Sequence, residues 1–200
     1  MTFEQYIKEA IKTNSEANFL SEDVKARGLN ENLLHSILGI QTESNELSKA
    51  FINLSEENLT NKEKESIIIN ILEEIGDICW YMALGFNELG INITVTNDDL
   101  DLPDDYDILD KAKRTLYYGE EFDKKLFGTF LKGNILFFQE LLNTLNNIDE
   151  NFNKIIGDKD PFEYVLEKNI EKLKKRYGEK FENEKALNRN IEEELKVFKL

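Results

Sequence analysis

Two pairs of acids in this 200-residue chain have a spacing that suits a hard cation: Glu43 with Glu46 and Glu74 with Asp77, each pair three residues apart. On a helix, residues three apart share a face with Cβ atoms about 5–6 Å apart, so two carboxylates can approach one cation or two adjacent ones. At about 100° per residue, both pairs fall on the shoulder of their own helix's apolar stripe, not on its opposite face. Antiparallel packing of the two stripes would bring all four carboxylates to one side of the contact. Crowded anions repel and need protons or cations. All-oxygen ligands favour Mg²⁺, Mn²⁺ or Ca²⁺ over Zn²⁺. Glu-x-x-Glu and Glu-x-x-Asp are also common strings in acidic helices, so spacing alone leaves open two ordinary solvated pairs.

The elements that would position these acids are helices. Phe3, Tyr6, Ile7, Ala10 and Ile11 fit a short amphipathic helix. A second helix is predicted from about Asn30 to Leu54, with Leu33, Ile37, Ile40, Leu47, Phe51 and Leu54 on its core face. Asn61 is placed as the cap of a third helix running to Leu89, with Ile68, Ile71, Ile75, Ile78 and Met82 buried and Gly90 as its stop. An acidic connection covers residues 92–106. Helices are then predicted over Ile108–Tyr118 and Asp123–Leu145. Another opens at Asp160-Pro161, a cap followed by a residue suited to the first turn, and ends at Tyr177. A last amphipathic segment spans about Glu184–Phe198. No sustained alternation points to strands, so the predicted fold is one all-α domain over residues 1–200.

Composition narrows the partners. A 40% hydrophobic and 32% charged chain with two prolines and ten glycines suits a globular bundle of long helices. Its net charge of −15 argues against nucleic acid or an anionic membrane as a passive partner. Small phosphate ligands remain compatible, because a divalent cation can bridge them to acidic side chains. The single cysteine, Cys79, sits among Ile75, Ile78 and Met82; it reads as a buried structural residue in a reducing interior. Lys8 and Glu9 interrupt any leader-like apolar run, and no stretch is long and apolar enough to span a bilayer. A cytoplasmic protein is expected.

Glu43-Ser-Asn-Glu46 followed, after 27 residues, by Glu74-Ile-Gly-Asp77 resembles the paired acidic motif of MazG-like nucleoside triphosphate pyrophosphohydrolases. The wider context is similar: His35, Gly39 and Thr42–Leu47 for a first motif helix, and Glu73–Tyr81 for a second. Asn169–Tyr177, Lys180-Phe181 and Ala186–Arg189 are similar to the tail of short bacterial and phage members. The resemblance implies a bundle of the all-α NTP pyrophosphatase type. It further implies hydrolysis of a (d)NTP or related nucleotide to monophosphate and pyrophosphate, Mg²⁺ (with Mn²⁺ as substitute), and Glu43, Glu46, Glu74 and Asp77 as metal ligands. Glu43 is expected to activate the attacking water. Asn169, Lys172 and Arg176, spaced 0, 3 and 7 along one helix face, are expected to bind substrate together with Arg189. Tyr81 is expected to stack on the base, Trp80 to pack in the core, and His35 to play a structural part.

The chain departs from that family in a long insertion between Gly90 and Asn169. Leu109–Phe138 resembles Leu47–Tyr81, which predicts a degenerate second copy over residues 105–149 beside the catalytic helix pair 35–91. Its acid positions read Asp105, Ile108, Leu131 and Asn134, so only the first copy keeps the acidic set. An internal pseudo-dimer would make the protein a monomer; otherwise a homo-oligomer is expected. The alternative function is a non-catalytic helical module that binds nucleotide or protein. A di-iron bundle would need two Glu-x-x-His pairs, which one histidine cannot supply.

Overall fold

The structure, a computed structural model, describes residues 1–15, 17–91, 93, 105–177 and 197. Among these there are eight α-helices and no strands: α1 (Phe3–Ala10), α2 (Glu22–Ala26), α3 (Glu31–Leu54), α4 (Asn61–Leu89), α5 (Asp105–Tyr118), α6 (Lys124–Ile148), α7 (Glu150–Ile156) and α8 (Pro161–Tyr177). A 3-10 turn, Ile11–Thr13, follows α1. Nearly all of the expected segment at 184–198 and of the acidic connection lies outside the described residues. No described helix is long and apolar enough to cross a membrane.

The core forms around α4. Ile68, Ile69, Ile71, Leu72, Ile75, Ile78, Cys79, Met82, Ala83 and Phe86 are all buried, so this helix is apolar over more than the single stripe its periodicity suggests. A helix apolar on several faces must be surrounded, and α1, α3, α6, α7 and α8 all pack on it. Its closest partner is α3, which runs antiparallel to it along most of its length after the turn at residues 55–60.

Local chemistry sets the helix ends. Asn30 caps α3 by accepting from the Leu33 amide. Thr60, not Asn61, caps α4, and Glu63 completes a reciprocal capping box with it. Asp123 caps α6, Asp149 caps α7, and Asp160 accepts from the Glu163 amide at the start of α8. The helices α2 and α7 are additions to the sequence reading; five and seven residues are too few to show a period.

The region read as a second copy is helical, but its packing differs from that of the first pair. Among the described residues α5 packs only lightly on both α3 and α6, whereas α3 and α4 meet along their lengths; α6 lies mainly on α4, α7 and α8. Ile108 and Leu131 are buried in the common core, and Asn134 donates to the Phe130 carbonyl of its own helix. These positions serve packing.

Candidate metal centre

Small residues let α3 and α4 approach closely beside the acids. A Cβ at Gly39 would run into the Tyr81 ring, and one at Gly85 would stand 2.7 Å from Ser36 Oγ. Ser36 Oγ in turn donates to the Tyr81 carbonyl at 2.6 Å. This close seam brings Glu43 and Glu46 of α3 against Glu74 of α4. One carboxylate oxygen from each of the three lies within 4.8 Å of the others. Glu74 is buried, Glu43 half-buried and Glu46 exposed, so the cluster opens outward at Glu46.

Electrostatics reflect the crowding. Burial pushes the Glu74 carboxyl up to about 8, helped by the charges of Glu73, Asp77, Glu43 and Glu46. Glu43 is also raised, first by burial and then by Asp77 and Glu46. A set of oxygen donors that resists being ionised together fits a hard divalent cation, which would relieve the repulsion. Asp77 stands beside the trio. It lines the same cavity as Glu43, yet its Oδ1 accepts from Asn169 Nδ2 at 2.8 Å and from Lys172 Nζ at 2.5 Å.

Asn169 and Lys172 are therefore placed behind Asp77, and neither lines the cavity; both are fully buried. Lys172 Nζ also donates to Glu73 at 3.2 Å. The Tyr6 hydroxyl lies 2.7 Å from Asn169 Oδ1 and 3.2 Å from the Gly76 carbonyl, tying α1 to the same network. Gly76 is needed for this approach, since a Cβ there would stand 2.9 Å from Asn169 Nδ2.

In front of Glu43 and Asp77 is a cavity of about 350 Å³, with Thr13, Ser15, His35, Trp80, Tyr81, Leu173, Arg176 and Tyr177 as its other lining residues. His35, Trp80 and Tyr81 meet edge to face, with ring centroids 4.9–5.8 Å apart. Trp80 Nε1 donates to Thr13 Oγ1 at 2.9 Å, so the turn after α1 fixes the indole. Burial, together with Glu43 and Asp77, pushes the Tyr81 hydroxyl up to about 12, which keeps it a neutral donor.

No family model, curated protein or solved structure matches this chain. Its chemistry therefore rests on the geometry of the site. Of the expected residues, Glu43, Glu46 and Glu74 come together, Asp77, Tyr81 and Arg176 adjoin them at the cavity, and Asn169 and Lys172 stand behind it. Arg189 lies outside the described residues. Trp80 and His35, read as packing and structural residues, line the cavity. Sequence reasoning missed Tyr6 because helix periodicity marks a residue as buried without saying what it faces, and Thr13 and Ser15 because they lie past the first helix, where no period applies. It also missed Glu73 as an ion-pair partner, although that residue directly precedes Glu74.

Proposed function

We propose that this protein is a Mg²⁺-dependent nucleotide pyrophosphohydrolase of the MazG-like kind, cleaving a (d)NTP or related nucleotide to the monophosphate and pyrophosphate. The observation that carries this reading is the convergence of the Glu43, Glu46 and Glu74 carboxylates beside a cavity lined by aromatic rings and Arg176. The resemblance of the two acidic motifs supports the choice of reaction.

Glu43, Glu46 and Glu74 would hold the cation, with Asp77 next to them. When bound there, such a cation would supply charge neutralisation for the phosphates and lower the pKa of nearby water. The Tyr81, Trp80 and His35 rings offer apolar faces and edges to a base. Arg176 offers paired N–H donors to phosphate oxygens. Glu43 belongs to the cluster and also lines the cavity, and burial raises its affinity for protons, which suits it to take a proton from the attacking water. Water then attacks a phosphorus of the nucleotide's α–β anhydride, that P–O bond breaks, and the monophosphate and pyrophosphate are the products.

The experiment is a nucleotide panel incubated with and without Mg²⁺, scoring pyrophosphate against inorganic phosphate. Pyrophosphate release that needs the cation and is lost in Glu46→Ala is expected. Release of phosphate alone, or no cation-dependent turnover of any nucleotide, overturns the assignment.

A further inference from the structure

Lys172 presents a problem that the proposed chemistry does not use. Its side chain is fully buried, and an ammonium taken out of water is costly unless it is paired. It does not reach the cavity, so it does not grip a substrate phosphate in this arrangement. Its partners are two acids from one turn of α4: Asp77 at 2.5 Å and Glu73 at 3.2 Å. Asn169 Nδ2 converges with it on the same Asp77 oxygen, and Gly76 leaves room for that approach. Its charge also reaches Glu43, in the sense that favours the carboxylate. The arrangement sets one positive charge behind Glu73 and Asp77 and within electrostatic reach of Glu43.

We propose that Lys172 is a positioning residue: an internal ion-pair partner that compensates Glu73 and Asp77 from behind, holds Asp77 by one oxygen, and keeps the acidic centre assembled when no divalent cation is bound. The inference rests on the reading that Glu43, Glu46 and Glu74 take a divalent cation. It gives Lys172 a different task from the substrate contact expected from sequence. Asn169 shares the task, positioned in turn by the Tyr6 hydroxyl.

The test is thermal melting of Lys172→Met with and without chelator. Methionine nearly preserves the volume and removes the charge. In chelator the variant is expected to melt lower by roughly 10 °C or more, because a buried pair has lost one partner. Added Mg²⁺ should raise its melting temperature by more than it raises that of the wild type, as the divalent ion takes over the compensation. Adding Glu73→Gln to the variant should recover part of the chelator loss. A filler lysine would show neither response. Melting like the wild type, with the same Mg²⁺ shift, overturns the proposal.

Should Lys172→Met fail to fold, Glu73→Gln alone decides. The Lys172 charge then falls on Asp77 uncompensated, and Mn²⁺ affinity, read by electron paramagnetic resonance, should drop by roughly five-fold. Unchanged affinity is the contrary result. If the wild type takes up neither Mg²⁺ nor Mn²⁺, the metal assignment fails separately. The chelator melts of the single and double variants still decide the role of Lys172.

Discussion

Glu74 shows how a single residue can make the whole protein sensitive to pH. Its carboxyl is pushed from 4.5 to about 8 by burial and four acidic neighbours, and Glu43 shifts in the same direction. The folded state therefore holds these protons more tightly than the unfolded chain does. The stabilising effect is complete below about 4.5 and is lost as the pH rises through about 8. Denaturant titrations in chelator should show stability falling across that window, and saturating Mg²⁺ should flatten the fall. A rise over the same range would contradict the crowding. Glu46, exposed at the outer edge, is the member of the trio whose loss least disturbs packing. Glu46→Ala should cut cation-dependent turnover by roughly 100-fold or more while melting in chelator no lower than the wild type, because one repulsive charge is gone. Calorimetric cation binding at wild-type strength would remove Glu46 from the site. The trio was legible in the sequence because its spacing and its shoulder placement survive into the fold. The burial of Lys172 was not legible: a basic residue at helical spacing reads alike whether it faces solvent or an acid on another helix.

The seam between α3 and α4 is what turns two ordinary acidic strings into one cluster. It depends on positions without side-chain bulk, Gly39 above all, over which the Tyr81 ring lies. Gly39→Ala should cost about 1–3 kcal/mol through overpacking and displace Tyr81 from its edge-on contact with Trp80. Melting and Trp80 fluorescence would report the two effects; unchanged values in both would mean that the seam is looser than described. Helix lengths and most caps could be read from sequence, since Asn30, Asp123 and Asp160 stand immediately before apolar periods. The shift of the α4 cap to Thr60 was harder to read, because Thr and Asn both cap well and only the reciprocal bond with Glu63 separates them. Which helices become neighbours was harder still, since an apolar stripe records a need for cover without naming what supplies it.

At the scale of the molecule, one acidic cluster forms among the described residues, between α3 and α4, while Ile108 of α5 and Leu131 of α6 are buried in the core. The resemblance between Leu47–Tyr81 and Leu109–Phe138 does not extend to matched helix pairing, and Leu131 and Ile108 are committed to the core. Asn134→Ala should accordingly leave cation affinity and turnover within about two-fold of the wild type, with only a small loss of stability from one side-chain hydrogen bond. Cation titration of the two proteins side by side would check this, and a lost binding event in the variant would revive a second centre.

The link from Tyr6 through Asn169 to Asp77 also bears on the order in which the molecule assembles. Tyr6 and Asn169 are 163 positions apart in sequence, and Lys172 is 95 positions from Asp77. The α3–α4 hairpin, by contrast, is closed by a turn of a few residues. Distant contacts form late because chain entropy must be surrendered before they give anything back. The acids are therefore expected to meet first through the hairpin, with the lysine that balances two of them arriving when α8 docks. During that interval protons or dissolved cations must stand in for it. Refolding is thus expected to speed up when Mg²⁺ is added to chelator-treated protein, which stopped-flow refolding would check.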